Sequence, residues 1–193
     1  MAKRPTNSEA ATLELYRVAL ENAGTQPEIS TEMAELGYDA AKIDEGKALL
    51  AQTRAAYDAN MKKGDYSIAA ELARQYDLPG ELRLEAAQRS FHRKIDSEFY
   101  RAAAEYAKEF GLPEDMVRQA ATQAFNKSMS MGMVKNAAEI ADDFDLPRPM
   151  KIEAAKRSFE QHMQAGLYRK ALKIAHKYDL PEEMVAEAEK KIS

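Results

Sequence analysis

The dipeptide Leu-Pro occurs at Leu78-Pro79, Leu112-Pro113, Leu146-Pro147 and Leu180-Pro181, so the same pair returns at every 34th residue (78 to 112, 112 to 146, 146 to 180). A constant period of this length is the mark of stacked supersecondary units. Each unit is too small to bury its own apolar face and relies on its neighbours for a core. Aligning the chain on the prolines divides it into 64–97, 98–131, 132–165 and 166–193, the last one short.

Within each unit the slots agree in physical type. Tyr66, Tyr100, Val134 and Tyr168 open a segment that continues through Ala69, Ala103, Ala137 and Ala171, then Ala73, Ala107, Ala141 and Ala175, and closes on Tyr76, Phe110, Phe144 and Tyr178. The spacing i, i+3, i+7, i+10 is one face of an α-helix, and its alanines admit a close neighbour. The next slot, Asp77, Gly111, Asp145 and Asp179, suits a residue leaving a helix through the left-handed region. Pro is favoured at the first position of a new helix, and acidic residues behind it complement the helix dipole. The second helix carries Leu82, Met116, Met150 and Met184, then Ala86, Ala120, Ala154 and Ala188, then Phe91, Phe125 and Phe159, then Ile95, Met129 and Met163.

The stretch 1–63 follows this pattern less closely. Tyr57 and Met61 stand one full period before Phe91 and Ile95, which predicts a second-type helix over 47–63. Helical spacing at 8–21, a break at Gly24-Thr25-Gln26-Pro27 and a short helical stretch at 28–36 complete an atypical end unit of the kind that must face water on one side. The expected architecture is therefore all-α: an αα-hairpin repeat solenoid with a 34-residue period, four repeats over 64–193 and an N-terminal helical cap over 1–63.

The run Gly64-Asp65-Tyr66-Ser67-Ile68-Ala69, repeated as Gly166-Leu167-Tyr168-Arg169-Lys170-Ala171, resembles the middle of a tetratricopeptide repeat, and the period agrees. The likeness extends over 64–193, as a divergent αα-repeat: Ala73 and its equivalents stand where that family has an aromatic, and Phe91, Phe125 and Phe159 where it has a small residue. The resemblance implies a protein that binds protein or peptide, with the helices after each proline lining the inner face. Members that grip a C-terminal carboxylate need Lys and Asn one turn apart there. The pairs Gln88/His92, Thr122/Asn126 and Lys156/Glu160 do not supply that clamp.

Composition narrows the chemistry. Cysteine is absent, which removes disulfides, thiolate nucleophiles and cysteine-bearing metal centres. Lys and Arg number 28 against 32 Asp and Glu, and neither part of the chain is a basic module, so charge argues against nucleic-acid binding, which is kept only as an alternative. The polar start lacks the apolar core of a signal peptide, and no run approaches about 18 apolar residues. These features set the expectation of a cytoplasmic protein outside the membrane. Glycine-rich phosphate loops, G-x-S-x-G and H-E-x-x-H are missing, so no enzyme, cofactor or metal is expected.

One candidate site remains on the second helices. Arg89, Arg157 and Lys191 form a basic stripe widened by Arg93, Lys127, Lys156 and Lys190, with His92 and Asn126 alongside, which could meet an acidic peptide or phosphates. The competing reading is a solvated face, because Glu85, Glu153 and Glu187 each precede a basic residue by four positions, in the favourable order for intrahelical pairs. Glu139, Asp142, Asp143 and Asp145 read as an acidic surface, since their spacing is not that of a calcium loop. His92, His162 and His176 read as surface residues. The methionines read as core: Met116, Met150 and Met184 share one slot, Met129 and Met163 another, and Met133 aligns with Phe99 and Leu167. Met131 alone has no apolar series.

Overall fold

The computed structural model describes the backbone of residues 40–192 and the side chains of residues 48–192; the helical stretches expected at 8–21 and 28–36 lie outside the described residues. All regular structure among these residues is α-helical: α1 (Ala40–Lys63), α2 (Tyr66–Gln75), α3 (Gly80–Asp96), α4 (Tyr100–Glu109), α5 (Glu114–Ser130), α6 (Val134–Asp143), α7 (Arg148–Gln164), α8 (Tyr168–Lys177) and α9 (Glu182–Ile192). Starts at 66, 100, 134 and 168, and at 80, 114, 148 and 182, keep the 34-residue register throughout. The fold is the expected all-α αα-hairpin solenoid type. No described helix is long and apolar enough to cross a membrane.

Both kinds of turn are built the same way. At the first, Leu78 N–H donates to Ala73 O (2.9 Å) and Asp77 N–H to Arg74 O (3.4 Å), with Asp77 at φ 49°. This is a Schellman ending, in which one left-handed residue lets two orphan carbonyls find donors. It recurs at Gly111, Asp145 and Asp179 as expected. It recurs also at the other end of every unit, at Gly64, Glu98, Gly132 and Gly166 (φ 81°, 58°, 71° and 71°). A Cβ built on Gly132 would meet nothing within 4 Å, so its conformation, not crowding, calls for glycine. The prolines sit one residue earlier than expected: Pro113 and Pro147 occupy the N-cap, at φ −50° and ψ 140°, and their carbonyls accept the first helical bonds.

The chain divides into two compact units, 1–90 and 91–193, with the boundary inside α3. In the first, α1 packs on α2. Tyr57, one period before Phe91, is buried, and its hydroxyl donates to Leu82 O at 2.9 Å; α1 spans the expected 47–63 and begins earlier, at Ala40. The hydroxyls of Ser67 and Ser90 share a 2.6 Å hydrogen bond. In the second unit each helix from α4 to α9 packs on the next. Its core takes in the two alanine slots of the short helices, Ala120, Ala154 and Ala188, and the phenylalanines, as expected, together with the leucine of each Leu-Pro pair; of the methionines assigned to core slots Met129 is buried, whereas Met116, Met150, Met163 and Met184 are half-buried.

Phe125 is 1% exposed with helices on both sides, so Phe125→Ala is expected to cost about 3–5 kcal/mol in a denaturant titration, against less than about 0.5 kcal/mol for the exposed His92→Ala. Backbone strain has its own test. Gly132→Ala should lower stability by about 1–2 kcal/mol with no steric clash to blame, while Glu98→Gly should raise the melting temperature; opposite signs from these two exposed positions are the signature of left-handed turns.

Candidate functional site

The basic stripe is largely engaged within the chain. Arg89 Nη2 donates to Glu85 Oε1 at 2.9 Å, and its guanidinium lies 5.8 Å from the centre of the Tyr66 ring. Arg157 pairs with Glu153 at 3.6 Å. Lys127 donates from Nζ to Glu98 Oε2 (2.8 Å) and to Glu98 O (3.3 Å), holding the turn that follows α3 against α5. The ammonium also holds the Glu98 carboxyl below the usual carboxylate range, first through the hydrogen bond and then through its charge. His92 lies edge-on to Phe91 (5.4 Å between ring centres), and Arg93, Asn126, Lys156, Lys190 and Lys191 are exposed. The stripe residues therefore lie on the second helices as expected, two of them in intrahelical pairs, but no described contact converges them on one point.

The acidic run is also engaged. Asp143 Oδ2 accepts from Arg101 (2.9 Å), Asp145 Oδ1 from Lys151 (2.8 Å), and Asp142 Oδ2 from the Tyr178 hydroxyl (3.1 Å) with Lys177 Nζ at 3.6 Å; Glu139 lies 3.7 Å from Lys135. No group of three or more His, Cys, Asp or Glu suited to a metal ion occurs among the described residues.

One expectation is overturned. The series Phe99, Met133 and Leu167, assigned to the core, is on the surface: the three side chains are 64%, 44% and 43% exposed, and Met131 is 61% exposed. The reason is visible in the two turn types. In the turn after a short helix, the leucine that follows the left-handed residue faces the alanine three places before the helix cap (Leu112 against Ala107), and the pair is buried. In the turn after a long helix the same backbone position is Phe99, Met133 or Leu167, and the matching residue is Lys94, Ser128 or His162. No small apolar partner exists there, so the large side chain stays outside.

Phe99, Met131 and Met133 line an open groove of about 390 Å³ together with Ala102, Ala124 and Ile140. Its charged rim is paired internally: Glu98 with Lys127, and Arg101 with Glu105, Asn136 and Asp143. The apolar slots repeat along one edge. Lys127 donates to Glu98 O and, one period later, Gln161 donates from Nε2 to Gly132 O (3.2 Å), so α5 and α7 each dock on the preceding turn in the same way. The first turn of the series carries Asp65 in the equivalent position, exposed, with φ −81° and ψ 55° against −83° and 54° at Phe99. The backbone therefore accepts a carboxylate here, and nothing local demands a bulky apolar residue.

No protein-family model matches the chain, and neither the curated proteins nor the solved structures provide a match.

Because Asp65 tolerates the same dihedrals, Phe99→Asp and Met133→Asp should leave stability within about 0.5 kcal/mol of the parent in chemical denaturation; a larger loss would mean that these side chains pack inward. The Glu98–Lys127 pair is expected to show itself on acidification. A carboxyl with a depressed folded-state value adds stability above its unfolded-state value and loses it as pH falls through the folded one. Lys127→Met should move the Glu98 midpoint up to the ordinary glutamate range in a carbon-detected carboxyl titration, and an unmoved midpoint would refute the pairing.

Proposed function

We propose that this chain is a non-enzymatic helical-repeat scaffold that binds a segment of another protein along the edge carrying Phe99, Met133 and Leu167. One observation carries the reading: three successive copies of a slot that accepts aspartate hold large exposed apolar residues instead. Single exposed apolar residues are ordinary, but a periodic row beside an apolar groove is what a docking surface requires. The rim adds the chemistry of the partner. Its charges are already matched within the chain, so the segment that fits is uncharged where it meets the groove and anchors through bulky apolar side chains. The tetratricopeptide-like pattern points the same way, by analogy. The basic stripe is the weaker candidate for this role, whether for acidic peptides or for nucleic acid, since Arg89, Arg157 and Lys127 already have carboxylate partners.

Peptide selection from a random library separates the two surfaces. Selected peptides should carry Leu, Met or aromatic anchors, bind almost equally at about 50 mM and about 500 mM salt, and be lost on Phe99→Asp or Met133→Asp with circular dichroism unchanged. Acidic, salt-sensitive peptides lost instead on Arg89→Glu, Arg157→Glu and Lys191→Glu would assign binding to the stripe and overturn the proposal.

A further inference from the structure

The groove mouth carries two thioethers, and their placement suggests how the edge is controlled. The segment Met129-Ser130-Met131-Gly132-Met133 holds three methionines at alternating positions, and the Schellman turn sorts them. Met129 lies on the last turn of α5 and is 6% exposed. Gly132 at φ 71° then reverses the chain, so that Met131 and Met133 both end on the solvent side and both line the groove. Thioether sulfur is the soft nucleophile of a chain without cysteine, and its oxidation follows exposure. The docking row in the neighbouring repeats uses Phe99 and Leu167, which peroxide leaves alone.

We infer that Met131 and Met133 form an oxidation-sensitive gate on the docking groove, resting on the binding role argued above, with a hydroperoxide as the oxidant. The sulfur lone pair attacks the terminal peroxide oxygen, the S–O bond forms as the O–O bond breaks, and the proton on the transferred oxygen goes to the leaving oxygen. With hydrogen peroxide the products are methionine sulfoxide and water. Sulfur is oxidised by two electrons and the peroxide is reduced by two. The sulfoxide oxygen is a strong acceptor placed beside the apolar groups of Phe99, Ala102, Ala124 and Ile140, and the lining cations Lys127 and Arg101 are directed to Glu98 and to Glu105, Asn136 and Asp143. An apolar partner segment would then have to desolvate that oxygen without replacing its hydrogen bonds, which weakens binding. Met129, the buried methionine of this segment, is shielded from the oxidant, so the two groove sulfurs of the segment react first.

The test uses the intact protein and has two separate readings. Tryptic cleavage after Lys127 and Lys135 gives one peptide, 128–135, in which fragment ions distinguish the three methionines. Under dilute hydrogen peroxide, sulfoxide should appear at Met131 and Met133 at least about tenfold sooner than at Met129, and at equal rates in urea. The uncharged fluorophore N-phenylnaphthylamine then reports the groove. It should bind the native protein, lose about tenfold in affinity after oxidation, and recover on treatment with methionine sulfoxide reductases. The M131L/M133L protein should bind it equally with and without peroxide. Equal reactivity of all three methionines in the folded protein, or unchanged fluorophore affinity with both sulfoxides in place, overturns the gate and leaves the docking surface standing. A native protein that does not bind the fluorophore at all overturns the docking surface and the gate with it, whatever the peptide map reports.

Discussion

The left-handed turn residue at each helix end is the constraint on which the remaining structure depends. One stands at every turn between described helices, where it ends a helix and hands the chain to the next within two or three positions. Helix length, not sequence identity, is therefore what repeats. From α2 to α7 short and long helices alternate with unchanged lengths of 10 and 17 residues, so slots one period apart keep the same place on their helices. Four of the turns use glycine, three use aspartate, which tolerates the region better than most residues, and one uses Glu98, which tolerates it poorly. The chain accepts strain at Glu98 and holds the glutamate there with Lys127 from the following long helix.

Given that register, the core is built from contrast in size. The short helices present alanine at both inward slots, and these alanines are buried, so backbones approach closely. The long helices supply the volume through Phe91, Phe125 and Phe159, each at most 2% exposed. Interiors packed to crystal-like density tolerate neither a missing ring nor an extra methylene. A few polar contacts reach into this core, at Ser90 with Ser67 and at Ser128 with Asn136, and the charged ones lie at the surface. Arg101 reaches from α4 to Asn136 and Asp143 of α6, and Asp142 of α6 meets Lys177 and Tyr178 at the end of α8. Exposed pairs of this kind contribute little individually, but they are directional and set how one repeat sits on the next. The carboxylates of the run 139–145 meet cations of the same unit, Lys135 on their own helix and Arg101, Lys151 and Lys177 on others.

Much of the fold was legible in the sequence because periodicity reports burial and turn chemistry directly. The Leu-Pro step set the register, the alanine and phenylalanine slots marked the core, and Asp77, Gly111, Asp145 and Asp179 announced one set of left-handed turns. The second set was harder to read, since Glu98 breaks the glycine series and no proline follows. The exposure of the Phe99, Met133 and Leu167 row was hidden for a related reason. Phe99, Met133 and Leu167 are apolar, periodic and adjacent to helices, which are the properties of a core slot. What separates them from Leu78, Leu112, Leu146 and Leu180 is the partner three places before the helix cap: alanine in one turn, a polar or charged residue in the other. Asp65 at the head of the series was the available signal, because a slot that is aspartate in one repeat is poorly suited to be buried in the next.

The charge pattern bears on what such an edge can recognise. A surface whose ions already neutralise one another gains nothing from an oppositely charged partner, since each new pair would have to replace an existing one. Apolar contact has no such competitor: the groove side chains are hydrated until something covers them, and their burial is favourable in proportion to the area removed from water. The repeat geometry then turns a single contact into a series, because Lys127 on Glu98 and Gln161 on Gly132 fix successive turns in the same relation to successive long helices. A partner that places one apolar side chain beside Phe99 is therefore positioned to place another beside Met133. In the proposed binding mode selectivity would come from the spacing of anchors rather than from charge, and a change of polarity at a single rung, such as the sulfur of Met133, would interrupt the row at its centre.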